Sequence, residues 1–239
     1  MTERVTPRRR GSYGIDAPLA PVFMAFVAAL EVGLAVISES ARPLLAALFI
    51  LAILGFYLYA TLQGKFVVWS DLLHQLNLRG DERILDLGCG RGAVLLMAAQ
   101  HLTTGQAVGV DLWRSVDQSG NSADATRRNA SAEGVADRVE LHTADMTALP
   151  IEDDRFDVVV SNWAIHNIRG HAGREKAISE AVRVLRPGGR LMIADLRGTR
   201  QYQEQLAKLG MINVARRRLG WHVLFLTCLV TATKPKLTM

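Results

Sequence analysis

Cysteine is nearly absent from this 239-residue chain: only Cys89 and Cys228 occur, without paired spacing, and the six histidines are scattered. That leaves no disulfide framework and no zinc-type ligand set, so no metal is expected, and both thiols are expected to be reduced and structural, as in the cytosol. Strong charge is also missing. Twenty-eight basic against 23 acidic side chains give +5, and the obvious basic cluster sits at the extreme N-terminus, so nucleic acid is not expected as a partner. Nor is the charge evenly spread. Between Ala17 and Leu62 the ionisable side chains are Glu31, Glu39 and Arg42 plus two tyrosines, while the rest of the chain mixes charged and apolar residues as soluble domains do.

The stretch poor in charge contains two apolar runs. The second, 43-PLLAALFILAILGFYLYATL-62, is uncharged and, at about 1.5 Å per helical residue, reaches across the roughly 30 Å of a bilayer core. The first, 22-VFMAFVAALEVGLAVIS-38, carries Glu31, which costs about 2.5–3.5 kcal/mol at mid-membrane. The polar turn 38-SESARP-43 between them predicts a transmembrane helical hairpin. Arg4, Arg8, Arg9 and Arg10 precede it and Lys65 follows, so the positive-inside tendency places both ends in the cytoplasm: a multi-pass protein of the cell membrane. Two other readings stay open, a twin-arginine leader from 8-RRR-10 and helices that act as buried lids or lie in the membrane interface. Ala25, Ala29 and Gly33 form a small-residue stripe through which transmembrane helices self-associate, giving a homo-oligomer. Glu31 points away from that stripe and needs another partner.

The remainder alternates strands with helices. The segment 83-RILDLGCGRGAVLLMAAQHL-102 reads as strand, glycine loop and helix, with Gly88, Gly90 and Gly92 removing side chains where a ligand lies against backbone. Further strands are expected at 107–113, 138–142, 156–162, 190–195, 212–220 and 223–234, and helices at 123–134, 175–185 and 201–210. The last two strands are expected as an antiparallel hairpin at one edge. The fold class is therefore α/β, a doubly wound, mostly parallel seven-stranded sheet of Rossmann type preceded by the helical hairpin, with ligands outside the carboxyl ends of the strands. Asp111 ends the second strand about 20 residues past the loop, where a carboxylate can accept ribose hydroxyls. The G-x-G-x-G spacing, with Asp86 two residues ahead, differs from the G-x-G-x-x-G of dinucleotide folds and disfavours an NAD-dependent oxidoreductase. Asn121 or Ser122 is placed to cap the helix that follows Asp111.

In that order, 84-ILDLGCGRG-92, Asp111, 145-DM-146, 156-FDVVVSN-162 and 184-VLRPGG-189 resemble the class I S-adenosylmethionine-dependent methyltransferases, over roughly residues 67–235. The resemblance implies S-adenosylmethionine as cofactor and S-adenosylhomocysteine as product. It places Asp86, Gly88, Gly90 and Gly92 around the methionine part and Asp111 on the ribose. Asp145 meets the adenine amino group, Met146, Leu112 and Trp113 lie against the ring, and Asn162 at the end of the fourth strand joins the cofactor set. The loop 161-SNWAIHNIRGH-171 departs from the Asn/Asp-Pro-Pro-aromatic signature of relatives that methylate exocyclic amines. It offers His166 instead, whose ordinary pKa near 6.5 suits general-base work on a hydroxyl or thiol.

These readings divide the chain into a basic cytoplasmic N-terminus (1–16), a transmembrane hairpin (17–64) and a methyltransferase domain (65–239). The expected function is methyl transfer to oxygen, sulfur or carbon of a hydrophobic small molecule or lipid by a membrane-anchored enzyme. Two alternatives remain: methylation of small cytosolic thiols or xenobiotics with the hairpin only as anchor, and a catalytically silent cofactor-binding scaffold.

Overall fold

The computed structural model describes residues 9–236; Arg4 and Arg8 of the N-terminal basic cluster lie outside the described residues. Helix α1 (Leu19–Ser38) reverses at Glu39, in the left-handed region at φ 48°, and returns as α2 (Ala41–Tyr59), capped by the Ser40 hydroxyl. Both are long and apolar enough to cross a membrane. The buried residues of the pair are Ala28 and Ala47, whose small side chains let the helices approach closely. The stripe of Ala25, Ala29 and Gly33 is exposed and faces away from α2. Glu31 is half-buried on the same helical face as Ala28 and Ala35, so it belongs to the seam between the helices.

The second apolar helix does not stop at Leu62. A π turn, Ala60–Gly64, carries α2 into α3 (Lys65–Gln75) as one continuous 35-residue rod, so the expected boundary at residue 64 falls inside a helix. Its lower part is amphipathic: Phe66, Val68, Trp69, Leu72 and Leu73 are buried against the sheet, and that packing continues the helix past the end of the apolar run.

The sheet contains β1 (Arg83–Leu87), β2 (Gln106–Asp111), β3 (Val139–Thr143), β4 (Phe156–Asn162), β5 (Leu185–Asp195), β6 (Ile212–Arg218) and β7 (Cys228–Thr233) in the order β3-β2-β1-β4-β5-β7-β6. The first five strands are parallel, and β7 is inserted antiparallel between β5 and β6. Alternate residues feed opposite cores. Ile84, Val158 and Val160 face the layer that holds α3 and α4 (Ala93–Gln100), whereas Leu85, Leu87 and Val159 face α6 (His171–Val184) and α7 (Thr199–Lys208). Each fully buried aliphatic side chain of this kind is worth about 1.5–3 kcal/mol. Because β1 pairs with β2 on one side and β4 on the other, the chain changes direction there and leaves a crevice at the carboxyl ends.

Three boundaries differ from the sequence expectation. Strand β5 begins at Leu185 and absorbs Pro187–Gly189, because Gly188 N–H donates to Lys234 O and Lys234 N–H to Gly189 O. Strands β6 and β7 are shorter than their β-type composition suggests, leaving residues 219–227 as a loop. Its apolar residues are used in docking: Val223 is buried, and Phe225 stacks on Phe56 of α2 with centroids 4.7 Å apart. The segment from residue 9 to 17 is no free tail. It is strapped across the domain by Tyr13, whose ring packs edge-on to Phe66 and whose hydroxyl donates to Glu133 Oε1, and by Ser12 N–H donating to Asn129 Oδ1 on α5 (Ala123–Glu133). Ser122 caps α5, accepting from Ala125 N–H.

Candidate cofactor site

The loop between β1 and α4 turns sharply because Gly88, Gly90 and Gly92 hold φ values of 74°, 52° and 86°, a region that penalises any Cβ. At Gly88 a Cβ would also overlap the Ala164 methyl. Beside this loop lies a cavity of about 520 Å³, within the range of small-molecule sites. Asp86, Gly88 and Gly90 line it from the glycine loop, Asp111 and Leu112 from the end of β2, Asp145 and Met146 after β3, and Asn162 at the end of β4. Four strand ends thus converge on one space.

Gly92, Trp113 and His166 do not line that cavity. Gly92 is the N-cap of α4, packed toward Leu96 and Thr126. Trp113, at φ 58°, turns its indole to donate to Thr143 Oγ1 at 2.7 Å. His166 is drawn away by Asp195 at the end of β5. That carboxylate is fully buried and accepts from His166 N–H at 3.0 Å, Leu196 N–H at 2.8 Å and the Tyr202 hydroxyl at 3.1 Å, with the His166 Nδ1 also against it. The imidazole therefore borders a separate depression beside Arg174 and Arg197. His166→Ala is expected to lower the melting temperature while changing kcat/KM by less than about tenfold, below the 10²–10⁴ typical of a lost general base. Thermal melts and steady-state assays of the variant check this.

The charged groups of the cavity have distinct environments. Asp86 is buried and its Oδ1 has no hydrogen-bond partner among the described residues. Burial first, and the nearby Asp111 charge second, push its carboxyl up to about 8. Asp111 is held toward the loop, accepting from Gly90 N–H at 2.8 Å, Trp113 N–H at 2.6 Å and Asn121 Nδ2 at 3.2 Å. A buried carboxyl with one oxygen left unpaired fits a ligand that brings its own ammonium, and the glycine turn leaves room for that ligand against the backbone.

Several lining residues escape sequence reasoning. Asp16, just before α1, and Lys65, just after the π turn, form an ion pair of 2.7 Å with Lys65 almost wholly buried. Gln118 Nε2 donates to the other Asp16 oxygen at 2.9 Å, and Gln118 Oε1 accepts from Arg91 N–H in the glycine loop at 2.7 Å. Trp69 Nε1 on α3 donates to Asn162 Oδ1 at 2.8 Å. In the sequence Lys65 reads only as a basic flank of a membrane segment, and no local pattern pairs it with Asp16, 49 residues away.

Residues 85–193 match the family model described as a methyltransferase domain. Methyltransferase GfsG of Streptomyces halstedii is 37% identical over 132 residues, covering 54% of this chain and 44% of that protein. Demethylmenaquinone methyltransferase of Symbiobacterium thermophilum is 33% identical over 131 residues, covering 54% and 49%. The chain thus spans less than half the length of these curated relatives. Among solved structures, geranyl diphosphate C-methyltransferase from Streptomyces coelicolor, in complex with S-adenosyl-L-homocysteine, superposes with a TM-score of 0.59 at 18% identity, over 74% of this chain and 79% of that one; at such identity it shows the fold alone. Residues 85–193 thus match a methyltransferase domain and adopt the fold of solved S-adenosylmethionine-dependent methyltransferases, a likeness that supports S-adenosylmethionine as cofactor.

Proposed function

We propose that the chain is a membrane-anchored methyltransferase that transfers a methyl group to oxygen, sulfur or carbon of a hydrophobic small molecule or lipid taken from the bilayer. The observation that carries this reading is that both feet of the apolar hairpin, Asp16 and Lys65, are wall residues of the cofactor cavity, joined to each other. An acceptor dissolved in the membrane then has only a short way to go. The hairpin's exterior supports the anchor: Phe23, Phe26, Leu45, Phe49 and their neighbours are exposed along both helices, an apolar surface far beyond what a soluble monomer tolerates. The named quinone relative acts on a molecule of similar character.

S-adenosylmethionine supplies an already activated methyl group, so the chain's task is placement and exclusion of water. Asp86 holds the ammonium, Asp111 the ribose hydroxyls and Asp145 the adenine amino group. Gly88 lets the backbone come close, while Trp69 orients Asn162 at the mouth of the β4 loop. The catalytic domain and both termini lie in the cytoplasm, where the cofactor is made.

The test uses the full chain in lipid nanodiscs with acceptors that share a phenol or thiol head and differ in tail length. At roughly 0.8 kcal/mol per buried methylene, kcat/KM for release of S-adenosylhomocysteine is expected to rise at least about a hundredfold from the bare head to a long isoprenoid or alkyl tail. Equal turnover of bare heads would favour soluble acceptors, and no turnover with any acceptor would favour a scaffold.

A further inference from the structure

Residues 219–227, between β6 and β7, form an outward-facing apolar surface that the methyl-transfer site does not use. Trp221, Phe225 and Leu226 are 63%, 68% and 69% exposed. Flexibility does not account for this. Val223 is inserted into the core, Leu219 N–H donates to Thr227 O at 3.1 Å, and Thr227 N–H donates to Leu224 O at 2.7 Å. The loop is a fixed turn with one side buried and the other presented.

Its partner on the inner side is the end of α2. Phe225 stacks on Phe56, Trp221 lies parallel to Tyr59 with centroids 6.2 Å apart, and the Tyr59 hydroxyl is 2.8 Å from His222 Nδ1. Gly64 completes the seat, since a Cβ there would overlap the His222 carbonyl. The 19 residues of α2 extend about 28 Å, close to the thickness of a bilayer core. Phe56 and Tyr59 therefore stand at the level where the helix leaves the hydrocarbon, and so does the loop stacked on them. Tryptophan and tyrosine favour that interfacial layer.

The neighbouring charge is complementary to lipid phosphate. Arg217 and Arg218 at the end of β6 are exposed, whereas Arg216 is tied to Thr199 Oγ1 and Cys228 Sγ. Basic side chains beside inserted aromatics are the pattern that binds anionic headgroups.

We propose that the loop 219–227 is a second membrane contact, with Trp221, Phe225 and Leu226 inserted into the interface of an anionic bilayer and Arg217 and Arg218 on its phosphates. This rests on the anchored reading above and deepens it. Two points of attachment, the hairpin and the loop, stop the domain from swinging on its helix and hold the edge strand β6 toward the membrane.

The experiment places nitroxide labels singly at Leu226→Cys, at Phe26→Cys on the hairpin and at Glu152→Cys on the exposed turn before β4. The full-length protein is used in nanodiscs of phosphatidylcholine with or without phosphatidylglycerol; the native Cys89 and Cys228 are buried. Relative access of oxygen and a water-soluble nickel chelate is then read. Oxygen is expected to dominate at residues 26 and 226 and the chelate at 152, with residue 226 moving several-fold toward oxygen when anionic lipid is added. Arg217→Gln with Arg218→Gln is expected to abolish that lipid dependence. Chelate-dominated access at 226 with oxygen-dominated access at 26 overturns the loop contact and leaves the anchor standing, whereas chelate access at both defeats the anchor itself. Protection of 226 from both reagents, with dipolar broadening between labels, assigns the surface to a second copy and also overturns the proposal.

Discussion

Asp86→Asn is expected to weaken S-adenosylmethionine binding by about a hundredfold or more while stabilising the ligand-free protein at alkaline pH. The two effects have one cause. Asp86 is buried with an unpartnered Oδ1, and its carboxyl is raised to about 8. An acid whose folded pKa exceeds its unfolded value keeps its proton in the native state after the unfolded chain has lost it. That contribution to stability is fully present below about 3.8, the unfolded value, and is lost as pH rises toward 8. The asparagine variant has no such proton to lose, so its melting temperature should fall less between pH 5 and pH 8. Binding has the opposite dependence. The proposed contact between Asp86 and the ammonium needs the carboxylate, so association below pH 8 would release the Asp86 proton, and affinity should weaken by up to about tenfold per unit as pH falls. Above pH 8 the ligand's own amino group, with a pKa near 7.7–8.0, loses its charge, so affinity should peak near pH 8. Losing one partner of a buried charge pair is worth about 2–5 kcal/mol, hence the hundredfold figure. Calorimetry across pH 6–9 on both proteins, with thermal melts lacking ligand, checks every part. Unchanged affinity in the variant would remove Asp86 from the site.

Lys65→Met is expected to destabilise the protein by about 3 kcal/mol, the lower end for breaking a buried pair because Asp16 keeps some solvent. Asp16→Asn combined with Lys65→Met should recover part of that loss, since no uncompensated charge remains. A double-mutant cycle in chemical denaturation measures the coupling. Because the pair joins both feet of the hairpin at the cavity wall, the single variants should also lose more kcat/KM on long-tailed acceptors than on bare heads. Equal losses on both would confine the pair to a structural role. The geometry also argues against testing the hairpin by cutting the chain at residue 64. Such a cut removes Asp16 and Tyr13, which complete the cavity wall and the core against Phe66, so lost activity would not identify the membrane as its cause.

Much of the sheet was legible because its signals are local. Alternating and continuous apolar runs at 83–87, 107–111 and 156–162 read as buried parallel strands, and the glycine turn after Asp86 marked where a ligand approaches backbone. Eight of the eleven residues singled out for the site line one cavity, since strand ends in a doubly wound sheet converge on one edge whatever the loops do. Of the three that do not line that cavity, Gly92 is the N-cap of α4, and the other two take their direction from a distant partner. His166 lies on the expected loop, yet Asp195, 29 residues later, turns its ring aside. Trp113 is adjacent to Asp111, but its left-handed backbone swings the indole to Thr143.

The sequence by itself therefore determined the order of strands and helices, the two apolar spans and the acidic, glycine-rich loop, because hydrophobic period, chain length and turn chemistry act within a few residues. Only the tertiary structure decided that the second span continues as α3 into the domain and that Asp16 and Lys65 meet at the cavity. It also decided that the residues after β6 leave the sheet to cover the end of α2. Those outcomes depend on ion pairing, ring stacking and burial between segments tens to hundreds of residues apart, and no local pattern encodes which distant partner a side chain will meet.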